Sequence, residues 1–448
     1  MGTPHRPHLL ASLTASATDT GSLAEPRSDA LEPESKTSVR WQPIVVLSAF
    51  SFLSFLDRQL LAALAPTLKS HFHLSNADYG LVVSAFAFAY MLSTPVAGWI
   101  VDRLGLRACA TAAIACWSAF SAATGLAAGL PALLLCRVGL GLSESVTIPA
   151  SAKANAIFLA PREMALGSAV QQIGFFAGGI AAPLLVVAVA PRLGWTSVFL
   201  IAGILGCAWM PIWLAVSRGR RAMQPGTGTR VETIIPIVQD RRMWAIAVCS
   251  LTVMTLYSLW LNWTTIFFVQ HLGLTQDVAN RYFAWLPPLF ATLGGLVGGW
   301  LAFRKIGAGS SAVRVRLTLC WICVPLCLVT AAVPLAVTPR IAALGIGISF
   351  FGCMMLVTNL HVMPIDVFGK ERAAFTSSIL TFCFALAQTV TAPIMGRIVD
   401  RFGFAALCAG LAVLPIVGLC IVTFAMREHA ARPLVAAGVV PTDEHAVL

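Results

Sequence analysis

Apolar residues dominate long stretches of the chain, and each stretch is broken by only a few polar positions. The stretches are continuous, whereas strands of a membrane barrel alternate between apolar and polar residues, so the pattern predicts helices. Each stretch is close to the roughly 20 residues that a helix needs to cross about 30 Å of hydrocarbon. The chain is therefore predicted to be an all-α integral membrane protein. The predicted spans are residues 41–66, 79–101, 108–128, 131–153, 165–189, 195–217, 243–268, 282–303, 314–334, 339–363, 373–396 and 404–426.

Composition supports this class, since 58% of the 448 residues are apolar and only 11% are charged. A soluble protein of this length needs more charge to cover its surface. The net charge of +11 is unevenly distributed. With the N-terminus placed inside, most Lys and Arg residues outside the spans fall in the tails and in the loops after even-numbered spans. This asymmetry predicts a multi-pass membrane protein with both termini in the cytoplasm, and no nucleic-acid partner is expected.

The chain is predicted to contain two bundles of six helices. A polar stretch from Ser217 to Arg242 divides the spans six and six. The predicted parts are a disordered cytoplasmic tail (1–40), an N-terminal bundle (41–217), a cytoplasmic linker (218–242), a C-terminal bundle (243–426) and a cytoplasmic tail (427–448). Two bundles with pseudo-twofold symmetry, each built from inverted three-helix repeats, are typical of secondary transporters.

An internal repeat supports this organisation. The second span closes with "GWIVDRLGLR" (Gly98–Arg107), and the eleventh closes with "GRIVDRFGFA" (Gly396–Ala405). The predicted topology places the two copies on opposite sides of the membrane, as inverted repeats require. More degenerate versions, "PRLGW" from Pro191 and "GWLAFRKIG" from Gly299, fall at the other two equivalent turns.

Four ionisable residues lie deep within predicted spans: Asp57, Arg58, Arg137 and Glu144. A charge near the membrane centre costs about 2.5–3.5 kcal/mol, so such groups usually face a water-filled cavity and pair with one another. Arg137 and Glu144 lie two helical turns apart, about 10 Å along the axis, and are too distant to pair directly. Asp57 and Arg58 are neighbours that point about 100° apart. Each group must therefore find a partner on another helix or in a ligand. The alternative is that these charges form a purely structural buried ion pair.

These groups suggest proton-coupled anion uptake. The planar guanidinium of Arg58 suits a carboxylate. Partly desolvated carboxyls at Asp57 and Glu144 can exchange a proton as the cavity switches sides. The proton gradient would drive the cycle, and no cofactor is expected. The chain lacks the sequence patterns of metalloproteases and serine hydrolases, so neither a metal site nor an enzymatic activity is predicted.

Several polar or aromatic residues in the spans are further candidates for contact with the substrate. Gln171 and Gln172 lie in an apolar helix, and at least one is expected to face the cavity, unless it bonds to a neighbouring helix instead. The same reasoning applies, with stacking available to the tryptophan, to Asn262, Trp263, Asn359 and Gln388.

The motifs resemble one branch of the major facilitator superfamily, the anion:cation symporters, which include bacterial hexuronate and galactonate transporters. The resemblance runs from about Trp41 to Met426. It rests on stretches such as "FLDRQLLAALAPTLKSHFHLSNADYG", "RVGLGLSESVTIPASAKA" and "MPIDVFGKERAAFTSSI". The first turn also matches the superfamily's cytoplasmic signature, which is interpreted as a gate and scaffold, at Gly98, Asp102, Arg103, Gly105 and Arg107. There Asp102 is expected to cap the adjoining helix or pair with an Arg across the bundles.

The resemblance implies a twelve-helix major facilitator fold and specific roles. Asp57 and Glu144 would serve proton coupling with help from Arg137, Arg58 would bind the substrate carboxylate, and Tyr90 would face a sugar acid. The expected partners are a small organic anion, protons and the lipid bilayer, and the chain is expected to act as a monomer.

Some positions depart from the family pattern. The residues usual in the family are replaced at five positions, which are Ser54, Phe55, Thr94, Thr264 and Thr292. Fewer groups that could bind the hydroxyls of a substrate remain. These differences favour a less hydroxylated or aromatic carboxylate over a polyhydroxylated sugar acid. Two alternatives remain open at this stage: a proton-driven exporter of metabolites or drugs on the same fold, and a membrane sensor that binds its ligand without transporting it.

Overall fold

The computed structural model describes residues 37–160, 163–219, 239–308, 310–369 and 373–427. Most of the predicted tails and the middle of the predicted linker lie outside these ranges. The described chain is almost entirely helical. Its helices are α1 (Thr37–Phe72), α2 (Asn76–Leu104), α3 (Leu106–Gly125), α4 (Leu130–Glu144), α5 (Thr147–Phe158), α6 (Met164–Val216), α7 (Arg241–Asn262), α8 (Gln276–Tyr282), α9 (Leu286–Gly307), α10 (Ala312–Ala332), α11 (Pro339–Phe368) and α12 (Ala373–Ala425). A single helical turn (Thr264–Ile266) and a π-helical segment (Phe267–His271) extend α7 past a break at Trp263.

Ten segments of the described chain are long and apolar enough to cross a membrane, and two of them contain 51 residues. The first of these two, in α6, folds back at Gly194, which has φ 80° and ψ 164°. Gly174 packs against Ser48 of α1, and the Trp209 indole donates to the Val46 carbonyl of the same helix. Both contacts are possible only if the chain reverses between them, so α6 crosses twice.

The second long segment, in α12, reverses in the same way. Gly403 has φ 73° and ψ −178°. Cys383 lines a cavity together with Leu251 of α7, while Gly418 packs against Cys249 of that helix. The described chain therefore makes twelve crossings, and the predicted twelve-helix, all-α fold is confirmed.

The repeated turns share one backbone geometry. Gly105, in the first copy of the motif, has φ 85° and ψ 150°, close to the values at Gly194 and Gly403. Positive φ strains any residue with a Cβ, which explains why glycine closes these turns. The fourth version departs, because α9 ends at Gly307 without a positive φ. Three of the four inverted-repeat turns thus use the same device.

Several hydrogen bonds join the two bundles toward one end of the molecule. They connect Thr67 with Gln276, Ala63 with Asn280, Asn76 and Ala77 with Asp400, Tyr79 with Asn262, and Ser84 with Thr389. At the same end a Cβ on Gly80 would lie 2.3 Å from the Ala392 carbonyl, so α2 and α12 pack backbone to backbone. This end, which contains the junction between α1 and α2, is closed.

Three arginine–aromatic pairs with exposed rings lie at helix termini toward the opposite end of the described chain. Arg103 stacks over Trp99, Arg304 over Trp300 and Arg427 over Phe424, with guanidinium-to-ring distances of 5.1, 5.0 and 5.1 Å. All three rings are more than half exposed. Exposed aromatics beside basic residues are typical of the membrane–water interface, so these pairs mark the boundary of the hydrocarbon at the basic end.

Candidate functional site

A buried ion pair joins α1 to α4 near the middle of the N-terminal bundle. The Arg58 Nε atom donates to Glu144 Oε2 at 2.6 Å, and the two side chains are 17% and 0% exposed. The Ser54 hydroxyl, one turn before Arg58, donates to the same carboxylate oxygen at 2.9 Å. The other oxygen, Oε1, has no hydrogen-bond partner among the described residues. Glu144 is therefore held by α1 through one oxygen only.

Aromatic rings cover the guanidinium of Arg58. Its central carbon lies 4.8 Å from the Phe86 ring centre and 4.7 Å from that of Tyr90, and these two rings stack on each other. Cation–π attraction is stronger where water is excluded. Tyr90, the family tyrosine identified in the sequence, is thus buried against the arginine.

Asp57 points to a different neighbour. The Ser121 hydroxyl of α3 donates to Asp57 Oδ1 at 2.7 Å, and Asp57 is only 3% exposed. Adjacent residues on a helix diverge by about 100°, so Asp57 faces α3 while Arg58 faces α4. The two acids therefore lie in separate environments within one bundle.

Arg137 is the least satisfied charge of the group. It is 2% exposed, and its Nε and Nη2 atoms have no hydrogen-bond partner among the described residues. Its central carbon lies 5.9 Å from the Phe199 ring centre. A buried guanidinium with unpartnered N–H groups is costly and is suited to an anion that supplies acceptors.

A small cavity, the central cavity, lies where the bundles meet. Its volume is about 30 Å³, and it is lined by Phe55, Arg58, Gln59, Leu61, Val83, Phe86, Arg137, Leu261, Asn262, Phe384 and Gln388. Two of the four predicted intramembrane charges thus open onto the same space, together with three carboxamides. A second cavity of about 20 Å³ shares Gln59 and Leu261 and reaches Thr264 and Pro288. Volumes of this size hold a water molecule or two.

The structure brings some predicted contact residues to this cavity and keeps others away. Asn262 and Gln388 line it. Trp263 is fully buried beside Tyr79 and does not line either cavity. Asn359 is enclosed in the C-terminal bundle, where it donates to the Met355 carbonyl at 3.0 Å.

The two adjacent glutamines have different surroundings. Gln171 is buried and donates to the Ser151 carbonyl at 3.3 Å, while Asn155 donates to its Oε1 atom at 3.4 Å. It therefore connects α6 to α5. Gln172 is exposed and shares a helix face with Gly179, where a Cβ would lie 3.3 Å from Pro288 of the other bundle.

The cytoplasmic signature forms a turn at the basic end, but its aspartate makes a different contact from those predicted. Gly105 closes the turn, whereas Gly98 has open space around it. Asp102 pairs with Lys153 of α5 at 3.0 Å, so the predicted pairing with an Arg across the bundles, or a cap, is wrong in this structure. The reason is that Lys153 of the same bundle lies at this turn, where its ammonium group also donates to the Val101 carbonyl. Arg103 and Arg107 are exposed.

Three features of the site lay beyond the sequence prediction. Ser121 binds Asp57, Tyr79 donates to the Asn262 carbonyl at 2.9 Å, and Asp400 accepts from the first amides of α2. The repeated motif could have identified Asp400, since it is the counterpart of Asp102. Ser121 and Tyr79 lie in apolar spans with no distinguishing spacing, so only helix packing reveals them.

The chain is similar to known membrane transporters. The family model described as "Major Facilitator Superfamily" matches residues 47–390, more than half of the chain. The chain is 26% identical over 414 residues to the hexuronate transporter of Escherichia coli K12, covering 88% of this chain and 95% of that protein. It is 28% identical over 282 residues to the galacturonate transporter of Dickeya chrysanthemi, covering 59% of this chain and 81% of that protein.

Among solved structures, a bacterial homologue of the human lysosomal transporter Spinster, in an inward-facing and unoccupied conformation, superimposes with a TM-score of 0.72 at 18% identity. The match covers 88% of this chain and 98% of that structure. This likeness concerns the fold alone.

Proposed function

We propose that this chain, which belongs to the Major Facilitator Superfamily, takes up a small organic anion together with protons by alternating access. The substrate class is a sugar acid or another carboxylate. The observation that carries the proposal is the central cavity, onto which two guanidinium groups open while one of them is tied to a fully buried carboxylate. The relatives named above are transporters of hexuronate and galacturonate, which supports an anionic substrate and gives no support to an enzyme.

The Arg58–Glu144 pair suggests how binding and protonation are linked. A substrate carboxylate and Glu144 compete for one guanidinium. When Glu144 takes a proton it becomes neutral, and its attraction to Arg58 falls, so the guanidinium is released toward the cavity. Substrate binding in turn favours the protonated form of Glu144, because one anion beside Arg58 is enough to balance its charge.

Asp57 is proposed as a second proton site, and Arg137 as a charge that assists proton exchange at Glu144. Asp57 does not contact Arg58, so its protonation is not tied directly to the release of that guanidinium. The Ser121 hydroxyl donates to Asp57, so this acid has its hydrogen-bond partner on α3 and not on α4. Arg137 lines the cavity, and its Nε and Nη2 atoms have no hydrogen-bond partner among the described residues, so an anion that enters can supply acceptors for them.

The cavity also limits the substrate. Its walls combine the aromatic rings of Phe55, Phe86 and Phe384 with the carboxamides of Gln59 and Asn262. Such walls suit a flat or weakly hydroxylated carboxylate better than a fully hydroxylated one. A volume of about 30 Å³ is far below that of any organic acid, so the bundles must separate locally when the substrate enters.

The test uses the purified protein in proteoliposomes with an inward proton gradient. Radiolabelled glucuronate, galacturonate, galactonate and benzoate are offered in parallel. We expect accumulation of at least one of them, loss of accumulation with a proton ionophore, and loss in Arg58→Ala. Arg304→Ala is the matched control, because Arg304 stacks on an exposed ring outside the cavity. Accumulation that survives in the double variant Asp57→Asn/Glu144→Gln would contradict proton coupling through these acids.

The same vesicles distinguish the alternatives. A proton-driven exporter would accumulate its cargo in the vesicles only when the proton gradient is directed outward, because protons leave as the cargo enters. A sensor would bind its ligand without counterflow. We further propose that the protein lies in the bacterial inner membrane as a monomer with both termini in the cytoplasm. Protease accessibility of tags at each end of the chain tests that orientation.

A further inference from the structure

A large groove lies on the outer surface of the C-terminal bundle, between α10 and the last part of α12. Its volume is about 610 Å³, and it is lined by Trp321, Cys420, Ile421, Thr423, Phe424 and Arg427. None of these residues lines the central cavity. Ile421 and Phe424 are 40% and 69% exposed, so the groove opens toward the surroundings of the protein.

The floor of the groove offers a dry surface. The Trp321 indole donates to the Thr423 hydroxyl at 3.0 Å, so the two polar groups between α10 and α12 satisfy each other. What remains is ring and aliphatic surface within a predicted membrane span. Away from Arg427, hydrocarbon is the natural occupant of such a surface, since the indole N–H and the threonine hydroxyl are already bonded to each other.

One end of the groove is positively charged. Arg427 lies where α12 ends, with its guanidinium 5.1 Å from the Phe424 ring centre. Arg314 precedes Trp321 by seven residues, which places it on the same face of α10 about 10 Å nearer the basic end. Both arginines are exposed. Arg427 thus lines the groove, and the spacing along α10 places Arg314 toward the same basic end.

Charge separates this groove from another large cavity in the described part of the chain. A cavity of about 480 Å³ is lined by Trp244, Phe375, Phe382 and neighbouring residues, none of which is charged. It can accept an apolar chain but cannot select a headgroup. The groove at Arg427 combines both properties.

We propose that this groove binds an anionic phospholipid of the leaflet at the basic end, with its phosphate at Arg427 and Arg314 and one acyl chain along Trp321 and Ile421. Guanidinium groups form paired, charge-assisted hydrogen bonds with phosphate. Basic pockets between membrane helices favour anionic headgroups over zwitterionic ones for the same reason. The site is independent of the proposed transport function, because it shares no residue with the central cavity.

The test is native mass spectrometry of the full chain released from membranes that contain equal amounts of phosphatidylglycerol and phosphatidylcholine with the same acyl chains. We expect the wild-type protein to retain one phosphatidylglycerol at least fivefold more often than phosphatidylcholine. The preference should fall by about half or more in Arg427→Ala and disappear in Arg314→Ala/Arg427→Ala. Arg304→Ala is the matched control and should keep it, since Arg304 stacks on Trp300 in the same way without lining the groove.

A second variant tests the acyl chain separately. Cys420→Phe fills the groove and leaves both arginines in place, so it should lose the retained lipid of either kind. Elution as a single species and an unchanged melting temperature in detergent establish that each variant folds. Equal retention of both lipids by the wild type, or an undiminished preference in the double variant, would overturn the proposal. So would displacement of the lipid by glycerol phosphate alone, since the site would then bind a phosphate and not a lipid.

Discussion

The two walls of the central cavity differ in charge. The N-terminal bundle contributes Arg58 and Arg137 to the lining, whereas the C-terminal bundle contributes the neutral residues Asn262, Phe384 and Gln388. The ion pair between Arg58 and Glu144 lies wholly within the first bundle. A rocking motion between bundles therefore leaves this pair intact. In the proposed mechanism, a proton on Glu144 or a competing anion at Arg58 breaks it.

Among the described residues, the neutral wall, formed by the C-terminal bundle, contacts the other bundle through hydrogen bonds and not through an ion pair. Its contacts with the N-terminal bundle are hydrogen bonds such as that from Tyr79 to the Asn262 carbonyl, and these must break whenever the closed end opens. Single hydrogen bonds contribute only about 0.5–1.5 kcal/mol each. Weak, neutral contacts therefore suit the alternating access proposed above, in which they break and form again. The comparison predicts that charge changes in the first wall have large effects and that changes in the second wall have moderate ones.

The largest effect is expected from Arg58→Met. Loss of the guanidinium leaves the fully buried Glu144 carboxylate without its ion-pair partner. Breaking a buried ion pair from one side costs about 3–5 kcal/mol of stability. We expect gradient-driven uptake to fall at least 100-fold and the melting temperature to drop in the same variant.

A paired substitution separates the functional role of the ion pair from a structural one. Arg58→Met/Glu144→Leu removes both charges, so stability should return toward the wild-type value while uptake remains lost. Both quantities are measured on the same preparations, by thermal unfolding and by proteoliposome uptake. Recovery of uptake together with stability would mean that the pair only holds α1 to α4.

A moderate effect is expected at the neutral wall from Gln388→Leu. The carboxamide lines the cavity and has no charge to exchange. Loss of one neutral hydrogen bond to a substrate corresponds to a roughly 2- to 13-fold increase in KM. The pH dependence of uptake should stay that of the wild type, because the acids lie in the other bundle. A shifted pH profile in this variant would show that the division between the walls is wrong.

Sequence patterns predicted the charges of the first wall better than their partners. Four ionisable residues in apolar spans stand out because each is costly in hydrocarbon. Glu144 and Arg58 proved to be paired, which their spacing permitted but did not specify, since cross-helix contacts depend on how α1 and α4 pack. The fold itself was predictable, because hydrophobic stretches and a repeated glycine turn are both local signals.

Asp102 and Asn359 show where sequence patterns were insufficient. Each had a plausible partner or role from its position along the chain, and each found a nearer one within its own bundle. Asp102 pairs with Lys153, and Asn359 bonds to its own helix. Competition between several possible partners is decided by distance in the folded protein, which sequence spacing does not give across helices.

A smaller effect is expected from the two aspartates of the repeated turn. Asp400 accepts hydrogen bonds from Asn76 and Ala77 at the start of α2, across the bundles, whereas Asp102 pairs within its own bundle. A negative charge at a helix N-terminus contributes about 0.3–1 kcal/mol, which corresponds to a population change of about two- to fivefold. Asp400→Asn should favour opening of the closed end by that factor.

Labelling of a cysteine in the cavity measures this opening. Val83 lines the cavity, and Val83→Cys should react about two- to fivefold faster in the Asp400→Asn background with a reagent added from the side of Asp400. Asp102→Asn is the matched control and should leave the rate on that side unchanged or lower. Equal acceleration by both substitutions would argue against Asp400 as a specific contact of the closed end.

The smallest effects are expected at the two glutamines of α6, which differ by one position and by 100° around the helix. Gln171→Ala removes bonds to Ser151 and Asn155 and should lower stability by about 1 kcal/mol without changing KM. Gln172→Ala should leave both quantities near wild type, because the side chain is exposed. Its face also carries Gly179, which lies against the other bundle near Pro288. We therefore expect Gln172→Cys to react with a water-soluble reagent added from the basic end. Reaction with a lipid-soluble reagent only would contradict a water-filled opening between the bundles at this face.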